Sequence, residues 1–201
     1  MSQSTQFGEN ATRLAGIILA AGLSRRAAPH NKLLLPGRDG APVVRCVAST
    51  FTAAGLQEVI VVTGHQHEAV ADAVSGLSLR TIYTADFESG MGNSLAAGVR
   101  AVTQTCDGFL VCPGDLPDMN VAIVRQIAHA FQAHKGTQNI IPMHGGLRGH
   151  PVALVADLRP KLEKLSGDQG AKVLLSVPEE IERTLYLSVE TNAISADNDL
   201  G

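Results

Sequence analysis

Three cations, Arg25, Arg26 and Lys32, fall in one short stretch that follows the small residues Ala20, Ala21 and Gly22. Small residues let backbone approach a ligand closely. Backbone N–H groups in such a turn can point at an anion, and arginine can grip phosphate as a fork. Ser24 adds a hydroxyl. The set suits a phosphate-bearing ligand; the plain alternative is a basic surface loop. The spacing is not a dinucleotide fingerprint, which needs Gly-x-Gly-x-x-Gly running into a helix. Nor is it a P-loop, since Leu33 follows Lys32 and no glycine precedes it.

A carboxylate complements these cations further along. In FLVCPGDLPDM, an apolar run is broken by Pro113 and Gly114, and Asp115 stands at its carboxyl end. An aspartate there can hold Mg²⁺, which prefers oxygen ligands and shared phosphates; a turn-capping aspartate is the alternative. Asp118 reads as the cap of the helix that follows. In FESGMGNSLAAG, Gly90 and Gly92 permit close approach, and Asn93 or Ser94 can cap a helix. A helix start of this kind attracts phosphate. RGHPV offers Arg148 and His150, and SGDQGAK places Asp168 at an expected helix start. His65 and His67 are two apart with no third ligand nearby, which argues against zinc. His129 and His134 read as part of a solvated helix face.

These residues need a scaffold, and the apolar pattern supplies one. Runs rich in Val, Ile and Leu predict strands over residues 15–20, 58–63, 79–84, 108–112, 139–143, 151–155 and 183–188. The second and fourth are nearly continuous, as in strands covered on both faces. Helical spacing predicts helices between them. One opens at Pro42 and stops at Gly55; another carries Ile123, Ile127 and Phe131 and stops at Gly136. Residues 94–103 and 168–176 also read as helices. Alternating strand and helix gives an α/β fold, a single three-layer Rossmann-like domain with a mainly parallel sheet. In such sheets ligands collect outside the carboxyl ends of the strands, where the residues named above fall. A polar segment over residues 1–13 reads as a disordered N-terminal extension, and residues 14–201 as the domain.

Composition narrows the function. The chain has 201 residues and a net charge of -3, against the basic excess usual for nucleic-acid binding. There is no Trp and aromatics are 3%, too few for a base-stacking platform. No apolar run is long enough to span a bilayer, and the start lacks the apolar core of a signal peptide. Cys46, Cys106 and Cys112 are odd in number and form no CxxC, as expected of free thiols in a reducing cytoplasm.

The stretch LAAGLSRR…NKLL resembles the signature of the nucleotidyltransferases that activate molybdenum cofactor, of the nucleotide-diphospho-sugar transferase fold. The resemblance covers almost the whole chain and returns in ESGMGNSLAAG, CPGDLPDM, RGHPVAL and SGDQGAK, in the family's order. It implies transfer of a nucleotide to the phosphate of molybdopterin with loss of pyrophosphate. It assigns Arg26 and Lys32 to the triphosphate, Asp115 to Mg²⁺, and Leu19, Ala20, Ala21, Gly22, Ser24 and Gly114 to the nucleotide. Gly90, Met91, Ser94, His150 and Asp168 fall on the substrate side. LAAG resembles the cytidylyl branch, so CTP is expected over GTP. A molybdoenzyme recipient is the implied downstream partner. The alternatives are a GTP-using or a sugar- or alcohol-phosphate nucleotidyltransferase of the same fold, or a non-catalytic nucleotide or molybdopterin carrier. The sequence departs from the family at four places. Ala27-Ala28 stands for the usual Met-Gly, Thr84 for Asn, and Lys172 for Arg; Ala193 and Ser195 stand where C-terminal acids are usual. Asp197 or Asp199 could supply that acid only by a slip in register.

Overall fold

The computed structural model describes residues 13–24, 30–37 and 39–195. The strands form where apolar runs predict them: β1 (Leu14–Ala20), β2 (Glu58–Thr63), β3 (Arg80–Tyr83), β4 (Gly108–Pro113), β5 (Asn139–His144), β7 (Val152–Val155) and β8 (Thr184–Ser188). A two-residue strand, β6 (Leu147–Arg148), completes a tight hairpin with β5. The helices are α1 (Val43–Ala53), α2 (His67–Ala73), α3 (Met91–Ala101), α4 (Val121–Ala133), α5 (Arg159–Leu162) and α6 (Pro178–Glu182).

The strands join one sheet of order β3-β2-β1-β4-β7-β5-β6, with β8 also paired to β5. β1 runs parallel to β2 and β4, β2 to β3, and β5 to β8. β7 is antiparallel to both β4 and β5. β1 and β2 are buried almost end to end, as strands covered on both faces must be. Phe51 of α1 lies over Gly16, while Ile17, the next residue, packs beneath Gly98 of α3. Successive strand residues face opposite ways, so α1 and α3 cover opposite faces of the sheet.

The chain leaves β1 toward β2 and β3, then returns to β4 on the other side of β1. That reversal opens a crevice at the carboxyl ends of β1 and β4, where α/β sheets bind ligands. Register fixes its walls: Leu19 pairs with Pro113, so the loop after β1 and the turn after β4 face one another.

Several expectations are corrected locally. The segment 168–176 is not a helix; it is a run of turns ending in a short 3-10 turn, Leu174–Ser176. Gly167, at φ +68°, precedes it and Gly170 interrupts it, and its first residues dock on α3 instead. Asp168 therefore caps no helix. Asn120, not Asp118, caps α4, its Oδ1 accepting from the Ile123 amide. β4 runs through Pro113 rather than stopping before it. α3 starts at Met91, three residues ahead of expectation, with Gly90 in the capping position.

A buried polar knot holds β5, β8 and α6 together. Glu180, 3% exposed, accepts from Asn139 and from two nitrogens of Arg183, which also forks onto Asp157. Burial alone would push the Glu180 carboxyl up, but the hydrogen bonds from Arg183 and Asn139 outweigh it and hold it low. The Arg183 hydrogen bonds hold Asp157 low. Burial likewise raises Glu58, and the Gln104 and Thr103 amides with the Arg80 side chain outweigh it. Carboxyls whose folded pKa is depressed stabilise the fold above their unfolded pKa and lose that contribution as pH falls through the folded value. Thermal midpoints are therefore expected to stay level down to about pH 5 and to fall steadily below about pH 4. A midpoint at about pH 3 equal to that at about pH 5 would contradict this reading.

Candidate active site

The crevice is a cleft of about 820 Å³. Leu19, Ala21, Gly22 and Ser24 line it from the β1 side, and Pro113 and Asp115 from the β4 side. Ala20 and Gly114 do not reach its surface. Ala20 is buried in the core, and the Gly114 amide donates to the Leu19 carbonyl, tying the two loops together. Arg26 lies outside the described residues, as do Asp197 and Asp199.

Lys32 and Asp115 meet in this cleft. The Lys32 ammonium pairs directly with Asp115 Oδ2, and the Asp115 side chain is 16% exposed. A half-exposed cation beside a mostly covered carboxylate offers both charges that a metal–triphosphate complex requires. The carboxylate supplies a hard oxygen donor, and the ammonium a phosphate contact. Among the described residues no group of three His, Cys, Asp or Glu side chains forms a metal cage. The one carboxylate fits a hard divalent ion that takes its other oxygen ligands from phosphates and water. Ser195 lines the same cleft, held there by the turn Asn192–Ile194 and by the His150 amide donating to the Ile194 carbonyl at 2.7 Å. Ala193 is buried. The chain therefore brings Ser195, a hydroxyl, to the cleft.

Gly90, Met91, Ser94, His150 and Asp168 also line the cleft. Beyond them it opens into a second, largely apolar hollow of about 730 Å³, walled by Leu95, Val111, Ile141, Leu154 and Leu175 with Lys172 among its polar residues. Met91, Arg148, His150 and Asp168 border both spaces. One amide of the α3 start is already committed within the protein. The Gly92 amide donates to the Gly167 carbonyl at 2.8 Å, and the Gly167 amide donates to Asn93 Oδ1 at 2.9 Å. Asn93 thus anchors the 166–170 loop instead of capping α3. Gly90 has φ +119°, and a Cβ there would lie 2.2 Å from Gly167. Glycine at 90 serves loop docking; ligand approach is not what demands it.

Burial pulls the His150 imidazole down, more than the nearby Asp115 charge and a hydrogen bond at Val111 raise it. The shift favours the neutral imidazole, a polar group in the lining of the cleft. Phe87 carries no signal of its own in the sequence, and Asn93 suggests only a helix cap there. Phe87 lines the cleft and packs so tightly on Gly64 that a Cβ there would sit 2.6 Å away. The glycine directly after β2 was the available signal.

Comparison with known proteins identifies the family and the fold. Residues 16–184 match the family model described as MobA-like NTP transferase domain. The chain is 33% identical over 170 residues to the nicotine blue oxidoreductase of Paenarthrobacter nicotinovorans, covering 81% of each protein. It is 26% identical to the bifunctional protein GlmU of Syntrophomonas wolfei but covers only 29% of that protein. Among solved structures, Rv0371c of Mycobacterium tuberculosis H37Rv superposes with a TM-score of 0.78 at 27% identity, covering 89% of each chain. A manganese complex of Rv0371c is also similar, with a TM-score of 0.71. A nucleotidyl transferase from Methanothermobacter thermautotroptrophicus matches at 0.73 and 29% identity, covering 89% of this chain and 88% of that one. A cleft pairing Lys32 with Asp115 at the reversal of the sheet, on a chain matched over most of its length, makes this protein a nucleotidyltransferase belonging to the MobA-like NTP transferase domain family.

Proposed function

We propose that the protein transfers CMP from CTP to the terminal phosphate of molybdopterin and releases pyrophosphate. The observation that carries this reading is the Lys32–Asp115 pair in a cleft whose other wall is the small-residue loop after β1. A phosphate oxygen of the acceptor attacks the α-phosphorus of CTP. The bond from that phosphorus to the bridging oxygen breaks, and pyrophosphate takes the electron pair. The attacking phosphate is already ionised at neutral pH, so no general base is required. Lys32 and Arg26 hold the triphosphate, and Ala21, Gly22 and Ser24 receive base and ribose. Neutral His150 and Asp168 border the apolar hollow, which receives the body of the acceptor. Mg²⁺ on Asp115 would neutralise charge on the phosphates; a manganese complex of Rv0371c supports a divalent ion. The protein's own contribution is alignment and preorganised charge. The reading places this chemistry in the cytoplasm.

A second reading has a specific observation behind it. Ser195 occupies the cleft where a second acid is usual, which favours a non-catalytic carrier of nucleotide or molybdopterin. Incubation with CTP or GTP, Mg²⁺ and molybdopterin, followed by mass identification of the product, separates the two. A cytidine dinucleotide formed one-for-one with pyrophosphate is expected. A guanosine product would reassign the nucleotide. Thermal stabilisation by CTP with neither product nor pyrophosphate would establish the carrier instead. Because one relative carries an oxidoreductase name, a separate incubation with nicotine blue and a nicotinamide hydride donor is run beside it, and loss of the blue colour with oxidation of that donor would redirect the assignment to that chemistry.

A further inference from the structure

Asn31 sits beside the charged loop yet is only 5% exposed. Its Oδ1 accepts two hydrogen bonds, from the Leu33 amide at 3.1 Å and from the Ser24 hydroxyl at 3.1 Å. The first caps the 3-10 turn Lys32–Leu34. The second reaches across the loop to the residue that closes its other edge. Ser24 is held at φ +49°, a left-handed conformation that a serine keeps only when its surroundings impose it. One buried oxygen therefore fixes both edges of the anion loop. Lys32 leaves the chain immediately after Asn31 and reaches Asp115 from there. A lysine is a point charge on a flexible stem, so its aim depends on how firmly its backbone is set.

We propose that Asn31 is the positioning residue for Lys32, holding its backbone so that the ammonium faces Asp115 across the cleft. The functional consequence, lower triphosphate affinity when Asn31 is lost, rests on the nucleotide reading above; the positioning itself does not. Asn31 Nδ2 is buried without a hydrogen-bond partner among the described residues. Asn31→Asp therefore keeps both acceptor bonds and gives up no described one, whereas Asn31→Ala gives up both.

The test uses the full chain. Without nucleotide, amine acylation at limiting reagent is read by peptide mass spectrometry at Lys32, with exposed Lys135 as internal reference. Asn31→Ala is expected to raise Lys32 acylation at least about threefold, and Asn31→Asp to leave it within about 1.5-fold. With CTP, Asn31→Ala is expected to raise KM about fivefold with kcat little changed. In a Lys32→Ala background it should add less than about 1.5-fold, because the two residues act as one unit. Unchanged Lys32 acylation in a folded Asn31→Ala protein overturns the proposal, as does full additivity with Lys32→Ala. If Asn31→Ala does not fold, Ser24→Ala removes the cross-loop bond from its other end, and the same rise in Lys32 acylation is required of it. Wild-type protein that protects Lys32 yet binds no CTP would refute the nucleotide reading while leaving the positioning role standing.

Discussion

Asp115→Ala is expected to abolish metal-dependent product formation, with kcat/KM down by a factor on the order of 10³ or more, about 4 kcal/mol of transition-state stabilisation. The reason is local. Asp115 is the carboxylate that meets Lys32 in the cleft, and Ser195 cannot replace its charge. Binding should behave differently from turnover. The carboxylate repels a triphosphate when no metal is present, so metal-free CTP should bind Asp115→Ala at least as tightly as wild type. Asp115→Asn keeps the shape, loses the charge and should be as inactive as the alanine variant. Calorimetric titration with and without Mg²⁺, alongside pyrophosphate release, reads both quantities. Turnover within threefold of wild type in either variant would remove Asp115 from the chemistry.

Lys32→Ala carries the opposite signature. The ammonium is half exposed, so its contact with phosphate is partly screened. A charge-assisted hydrogen bond of this kind contributes about 1.5 kcal/mol, or a KM for the triphosphate raised roughly tenfold. Lys32→Arg should restore only part of this. Its planar fork needs a different approach from a point charge on a four-carbon stem. Initial rates at varied CTP with fixed acceptor measure the effect, and an unaltered KM would exclude Lys32 from the triphosphate. The two variants together form a sharp pair: one spares binding and loses turnover, the other weakens binding first.

The sheet was legible because its signal is local. A strand buried on both faces must be a continuous apolar run, and EVIVVT is one; the observed β2 has the expected bounds. The stop at Gly136 and the start near Pro42 followed from single-residue backbone restrictions. Where the structure departs, partners from elsewhere in the chain decide. Residues 168–176 carry enough helical spacing to suggest a helix. The Gly167 amide and carbonyl are instead committed to Asn93 and Gly92, and the segment becomes a wall. The same contacts give the glycines at 90 and 92 a docking role that their sequence does not reveal. No local pattern shows that Asn120 rather than Asp118 caps α4, since either type suits the role.

By itself the amino-acid order settled which segments would be strands, that small residues would end β1 among cations, and that a carboxylate would end β4. Those are properties of a few neighbouring residues: hydrophobic period, backbone freedom and charge. Only the tertiary structure decided that the two ends form one site. It did so by pairing Leu19 with Pro113 in parallel register and by placing β4 beside β1 after the chain had passed through β2 and β3. It also decided that Asn31 would be buried beneath that site and that Ser195 would reach its rim. Such placements depend on long-range pairing and on packing against both faces of the sheet, and neither leaves a periodic trace in sequence.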